Sequence, residues 1–205
     1  MNLRRFVDFR RFDPAPNPKI DRKFRKRSNR EAIMAYVKYL DASTADASVK
    51  PIFAAIEAEL GVVPNIFRAM AHAPEMFRTF LDFNASLATI VLDPTLRELA
   101  YMKVSLMNAC HYCFEHHRIA AEKLGVDPRK IDDLPHSLTS DVYDEIELDV
   151  LTFAENVTDD GEDDPERIER LRSKLGERGL VELTFIVALA NLTNRFNLAL
   201  DIELP

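Results

Sequence analysis

Residues 93–125 read Asp93-Pro94-Thr-Leu96-Arg97-Glu98-Leu99-Ala-Tyr-Met-Lys-Val-Ser-Leu-Met-Asn108-Ala109-Cys110-His111-Tyr112-Cys113-Phe114-Glu115-His116-His117, followed by Arg-Ile-Ala-Ala-Glu-Lys-Leu124-Gly125. Asp93-Pro94 places a capping carboxylate before a residue with no N–H to waste and a φ suited to a first helical turn. The helix it opens runs to Asn108, and a second runs from His111 to Leu124, where Gly125 stops it. The short connection makes the two an antiparallel hairpin. Both cysteines and three of the five histidines fall within ten residues at its turn. Few packing arguments predict that density.

The same punctuation recurs outward. Asp127-Pro128 and Asp164-Pro165 open helices as Asp93-Pro94 does, and Gly61 and Gly176 fall where helices should end. Apolar residues repeat at helical spacing in Ile52, Ile56 and Leu60, in Met76, Phe80, Phe83 and Leu87, and in Leu148, Leu151, Phe153, Ala154 and Val157. The segments expected to be helical are 32–46, 49–60, 64–72, 74–91, 94–108, 111–124, 145–158, 165–175 and 179–198, with no convincing strand. Residues 132–144 form the one long loop and are placed to cover a site. Leu96-x-Glu98-Leu99 with Asn108 is faintly echoed by Leu180-x-Glu182-Leu183 with Asn191, too little for a repeat. The fold class is all-α, a single compact helical domain built around the hairpin.

Composition bounds the function. The 205 residues are 47% hydrophobic and 30% charged, an ordinary ratio for a chain with a real core, and five glycines are too few for a turn-rich β protein or a phosphate-binding loop. The most apolar stretch, 180–200, is interrupted by Glu182, Asn191, Asn194, Arg195 and Asn197, so no membrane is expected as a partner. Two cysteines three apart are no secreted disulfide framework, and with no secretory signal evident a cytoplasmic setting is expected. The net charge of −7 hides a basic segment: residues 1–30 carry 11 Lys and Arg against three Asp, or +8, leaving −15 for the rest. Residues 1–30 read as a basic flexible tail, and 31–205 as the helical domain. A solvated tail, or an extension ahead of a start at Met34, is favoured over a nucleic-acid arm or an organellar presequence.

At the hairpin, unpaired N–H groups and the positive end of the helix dipole favour the thiolate over the thiol. Cysteines at i and i+3 can close a disulfide, which permits a dithiol cycle. Cys113 and His117, at i and i+4, share a helix face, while His116 points about 100° away. In an antiparallel hairpin Glu98 lies about 16 Å from the turn and His117 about 9–10 Å down the return helix, an axial gap of about 6 Å that a Glu spans directly or through one water. The order expected is Glu98, then His117, then Cys113, the carboxylate orienting the imidazole that takes the thiol proton. The alternative is an ordinary surface contact for Glu98.

The residues so far quoted resemble a known family. Glu98, twelve residues before Cys110, then Cys-x-x-Cys with His117 four after Cys113, is similar to the alkylhydroperoxidase D-like branch of the carboxymuconolactone decarboxylase superfamily. Leu60-Gly-Val-Val-Pro-Asn-Ile-Phe-Arg-Ala-Met-Ala71, the Pro74-Glu75 helix and Asp93-Pro94-x-Leu96-Arg97-Glu98-Leu99-Ala100 extend the likeness to roughly 35–200. The resemblance implies a helical trimer or hexamer and an antioxidant hydroperoxide reductase needing no cofactor and no metal. Cys113 would be the peroxidatic thiol and Cys110 the resolving one, with a lipoylated or thioredoxin-like protein as reductant. Tyr112 stands where some members carry a second His, which affects the relay and the choice of reductant.

Rival readings keep the same residues. Zinc would draw on Cys110, Cys113, His117 and His111 or His116, but His72 and His136 are isolated and offer no second ligand pair. Haem attachment would need His at 114, where Phe stands. The remaining alternatives are a carboxymuconolactone decarboxylase-type enzyme, whose members proper lack the paired cysteines, and a non-catalytic helical oligomer with a structural Cys pair. His72 is expected to complement a helix dipole, and Arg195 to be a buried guanidinium paired with Asp201 or Glu182.

Overall fold

The computed structural model describes residues 35–159 and 161–204, so the basic segment 1–30 and the start of the first expected helix lie outside the described residues. Chain contacts divide the molecule into two compact units, one running to Thr89 and resuming at Asn197, the other Ile90–Phe196.

In the first unit, residues 35–46 are turns where a helix was expected. The cause is local. Asp41 accepts hydrogen bonds from the Ser43 and Thr44 backbone N–H groups at 2.8 and 3.0 Å, and Asp46 does the same for Ser48 at 2.8 Å. Short polar side chains thus take the backbone donors that a helix would need. Helices α1 (Lys50–Leu60), α2 (Asn65–Met70) and α3 (Pro74–Ser86) follow, with a 3₁₀ turn at Leu87–Thr89. Gly61, at φ 78°, ends α1 in the left-handed conformation. The unit buries Phe53, Ile56, Leu60, Phe67, Phe77 and Leu81, with the Phe53 and Phe77 rings edge to face at 6.2 Å. His72 is exposed, and its Nε2 lies 2.8 Å from the Lys38 carbonyl.

The second unit holds α4 (Pro94–Met107), α5 (His111–Lys123), α6 (Pro128–Asp133), a 3₁₀ segment (Leu134–Thr139), α7 (Glu145–Asp159) and α8 (Pro165–Leu200), the last residues of α8 belonging to the first unit. The Asp-Pro signals do what their chemistry predicts: Asp93 accepts from the Thr95 N–H at 2.7 Å and Asp127 from the Arg129 N–H at 2.9 Å. Gly176, at φ 71° and ψ 167°, breaks α8 where the sequence placed a stop. No strand occurs among the described residues.

Helix α4 is the axis of this unit. Leu96 and all residues from Glu98 to Leu106 are buried. Leu99, Met102 and Leu106 join Phe114 and Ala121 of α5, Ile131 of α6 and Leu151 of α7 in one core. Full burial of one such side chain stabilises by about 1.5–3 kcal/mol. Residues 132–144 are less loop than expected, being α6 and the 3₁₀ segment for more than half their length. They are fixed by Lys103 of α4, whose Nζ donates to Ser137 Oγ at 3.1 Å and pairs with Glu155 at 2.6 Å.

Within α8 one window is long and apolar enough to cross a membrane by length and composition. It nevertheless buries Leu183, Ile186, Val187, Leu189 and Ala190 and directs Asn191, Thr193 and Asn194 into hydrogen bonds with α4 and the turn that follows it, as a core helix does. Arg195 corrects an expectation: it is exposed, and its guanidinium donates to Asn191 in its own helix. Glu182 is engaged elsewhere, accepting from the Val91 and Leu92 N–H groups at 2.7 and 2.9 Å.

Candidate active site

The turn between α4 and α5 is three residues, Asn108, Ala109 and Cys110, and each is fixed separately. Asn108 caps α4 and donates its amide to Asn191 and Asn194 at 2.9 and 3.1 Å, while Asn194 donates to Ser105 Oγ at 3.2 Å. Ala109 takes φ 54°, in the left-handed region that L-residues other than Asn and Asp seldom occupy. The Cys110 N–H closes the turn on the Ser105 carbonyl at 2.9 Å. Strain at Ala109 is thus held by bonds on either side of it.

Cys110 is the N-cap residue of α5, and its sulfur accepts from the Cys113 N–H at 3.4 Å. The two sulfurs are 2.9 Å apart, as thiols rather than a disulfide, and both residues are buried. A sulfur at a helix N-terminus faces the positive end of the helix dipole, which favours its anion. Cys113 lies one turn before His117 on the same face of α5.

Glu98 and His117 touch. The imidazole Nδ1–H donates to Glu98 Oε2 at 2.6 Å, so the gap between helices is closed directly and no bridging water is needed. The other carboxylate oxygen, Oε1, accepts from Arg97 Nε at 2.8 Å and Nη2 at 2.6 Å. Burial pushes the Glu98 carboxyl upward, but the His117 charge and hydrogen bond, with Arg97, outweigh it and hold the group below the usual carboxylate range. It is therefore an anion at neutral pH, held on both oxygens and suited to orienting an imidazole.

Two aromatic neighbours complete the surroundings. Tyr101, one turn after Glu98 on α4, stacks on His117 with ring centroids 3.5 Å apart and planes 18° from parallel. Burial first, and then the negative charge of Cys113, push the Tyr101 phenol well above its ordinary range. His116 sits edge to face against His117 at 5.2 Å. Burial and then the His117 charge push the His116 imidazole down to about 3, so it is neutral where His117 works. Tyr112, between the cysteines, is buried. Among the described residues no three His, Cys, Asp or Glu side chains converge as a metal-ligand set.

All four residues singled out from the sequence, Glu98, Cys110, Cys113 and His117, lie on this hairpin. Arg97, Tyr101 and Thr193 were not singled out. Tyr101 had a signal, since i+3 from Glu98 places it on the same helix face.

Known proteins share this architecture. Residues 74–156 match the carboxymuconolactone decarboxylase family. YnjA, an uncharacterized protein of Escherichia coli (strain K12), is 32% identical over 145 residues, covering 69% of this chain and 74% of YnjA. The alkylhydroperoxidase AhpD core of an uncharacterized peroxidase-related protein from Ralstonia eutropha JMP134 superposes with a TM-score of 0.75 over 85% of this chain and 94% of that one. Its 21% identity makes this a likeness of fold. The debrominase Bmp8, solved as a Cys-to-Ala variant with 2,3,4-tribromopyrrole, superposes at 0.71 with 26% identity over 85% of this chain and 94% of Bmp8. With an all-helical fold, a matching family segment and a relative aligned along most of its length, the chain belongs to the carboxymuconolactone decarboxylase superfamily, in its alkylhydroperoxidase D-like fold.

Proposed function

We propose that the protein is a thiol-dependent hydroperoxide reductase that cycles between a dithiol and a disulfide at Cys113 and Cys110. The observation that carries this reading is the pair of thiol sulfurs 2.9 Å apart at a helix start, one turn from an imidazole already bonded to a buried carboxylate. Decarboxylation, the chemistry in the family name, gives that dithiol nothing to do.

His117, oriented by Glu98, takes the Cys113 proton. The thiolate attacks the distal peroxide oxygen, the O–O bond breaks, and the imidazolium returns the proton to the departing alkoxide. Cys113 is then a sulfenic acid. Cys110 attacks that sulfur, the disulfide forms and water leaves, so ROOH and two thiols become ROH, water and a disulfide. An external dithiol, on a lipoylated or thioredoxin-like protein, restores the pair. The Cys113 N–H directed at the Cys110 sulfur supports that sulfur as an anion, both when it attacks and when it is expelled. The reading includes a homo-oligomer, a trimer or hexamer, and a cytoplasmic setting.

A second substrate class has an observation in its favour: Bmp8, a debrominase, is more alike in sequence, at 26%, than the peroxidase-related protein at 21%. The same two electrons would reduce a carbon–bromine bond, leaving C–H, bromide and the disulfide.

The test is turnover of hydrogen peroxide, an alkyl hydroperoxide and 2,3,4-tribromopyrrole with a panel of dithiols, on the wild type, Cys113→Ser and Cys110→Ser. Peroxide consumption is expected in the wild type and absent in Cys113→Ser, while Cys110→Ser consumes one equivalent and accumulates a trappable sulfenic acid. Full peroxide turnover by Cys113→Ser would sink the assignment, and bromide release without peroxide consumption would transfer it to the second class.

A further inference from the structure

We infer that Tyr101, tethered by Thr193, is a positioning residue that fixes the plane of the His117 imidazole. This rests on the reading of His117 as the base for the thiol.

The imidazole has one edge bonded, through Nδ1, to Glu98. A single hydrogen bond leaves the ring free to rock about that axis. The Tyr101 ring at 3.5 Å removes this freedom, because a nearly parallel face at contact distance blocks rotation out of the plane. Tyr101 is itself held at its far end. Thr193 Oγ1 donates its proton toward the Leu189 and Ala190 carbonyls, each at 3.1 Å, so the hydrogen bond it shares with Tyr101 is one it accepts. Tyr101 O–H is the donor. The phenol stays protonated because burial raises it well above its ordinary range, so the tether does not release as the thiols titrate. A chain of contacts therefore runs from the α8 backbone through Thr193 and Tyr101 to the imidazole.

The experiment observes the imidazole directly, by the NMR signals of His117 in wild type, Tyr101→Phe, Tyr101→Leu and Thr193→Val. In the wild type the His117 carbon-bound ring protons are expected upfield of those of an exposed histidine, from the ring current of Tyr101. Tyr101→Leu loses that displacement. Tyr101→Phe and Thr193→Val, each without the tether, keep part of the displacement with signals broadened by a looser ring. The inference is overturned if the wild-type protons are not displaced, a result that needs no variant to fold. It is equally overturned if Tyr101→Leu folds and keeps the displacement, or if Tyr101→Phe and Thr193→Val give signals as sharp and as displaced as the wild type. Since none of these readouts involves peroxide, failure of the hydroperoxide reading would show separately, as a displaced His117 in a protein without turnover.

Discussion

The two helices of the hairpin begin differently. Helix α4 starts at Asp93, whose carboxylate accepts from the Thr95 N–H at 2.7 Å, the Leu96 N–H at 3.4 Å and the Thr95 hydroxyl at 2.5 Å. Burial raises that carboxyl, yet the Thr95 bonds prevail and hold it below its ordinary value, the mark of a charge already stabilised where it sits. Helix α5 starts at Cys110, whose sulfur accepts the Cys113 N–H at the longer distance of 3.4 Å. A thiol is a weak acceptor and a thiolate a good one. The first helix has its capping charge in the resting state. The second has a thiol as its capping group, an acceptor that strengthens when the sulfur loses its proton.

If that contrast is right, the largest effect comes from disabling the group that manages the proton. Glu98→Gln keeps the shape but removes the anion opposite His117, and kcat/KM for peroxide should fall about 10²–10⁴-fold, the usual share of general base catalysis. The same substitution changes acid stability. Glu98 titrates below its ordinary value of 4.5, so the stability it contributes is complete above that pH and is lost as pH falls through the lower folded value. Urea unfolding between pH 5 and 3 should therefore be steeper in pH for the wild type than for Glu98→Gln. Equal activity in the two proteins would leave the Cys110 end of the comparison without its proton acceptor.

Acid separates the helices a second way, because α5 carries three histidines and α4 none. His116 is held neutral down to about 3, against 6.5 when unfolded, with burial the main cause. Between those values the unfolded chain binds a proton that the folded chain refuses, so stability falls as pH drops from 6.5 toward 3, by an amount on the order of 3–5 kcal/mol. His116→Gln should flatten that stretch of the profile in urea titrations. An unchanged slope would place the acid sensitivity elsewhere.

The caps can be exchanged directly. Asp93→Ala should cost about 0.5–2 kcal/mol by urea unfolding, the usual cost of losing a side-chain cap. Cys110→Ser should go the other way, by up to about 1 kcal/mol, since a hydroxyl caps better than a neutral thiol, while ending disulfide cycling. A loss in Cys110→Ser as large as that in Asp93→Ala would mean that the resting sulfur is already a full cap.

What could be read in the sequence was local or set by one short turn. The Asp-Pro starts and Gly176 were legible because capping chemistry involves only neighbours, and the Glu98–His117 contact because three turn residues fix the register of two helices. Residues 35–46 misled because their apolar spacing says helix while Asp41, Ser43 and Thr44 take the backbone donors. Helix α6 is six residues, too short for periodicity to register even behind a recognised Asp127-Pro128. Arg97 was passed over because adjacent helical side chains diverge, yet a long guanidinium reaches back to Glu98. Tyr101 read as core, as aromatics on helices usually are, and Thr193 meets it from 92 residues away, through packing that no local pattern encodes.

The smallest expected effect tests the turn itself. Ala109, at φ 54°, and Asp201, at φ 53°, are the described non-glycine residues in the left-handed region. For an alanine that conformation costs about 1–2 kcal/mol, whereas aspartate visits it more readily. Glycine would remove the strain but adds unfolded-state entropy worth about 0.4–1 kcal/mol. Ala109→Gly should therefore stabilise by less than about 1 kcal/mol, and Asp201→Gly should be neutral or slightly destabilising. The activities should separate in the opposite sense. Ala109 joins the cap of α4 to the sulfur cap of α5, so a looser residue there lets Cys110 drift from Cys113, and disulfide closure measured by stopped flow should slow in Ala109→Gly alone. If both glycine variants close the disulfide at the wild-type rate, the strained alanine sets only the path of the chain, and the sulfurs are held together by the helix start without its help.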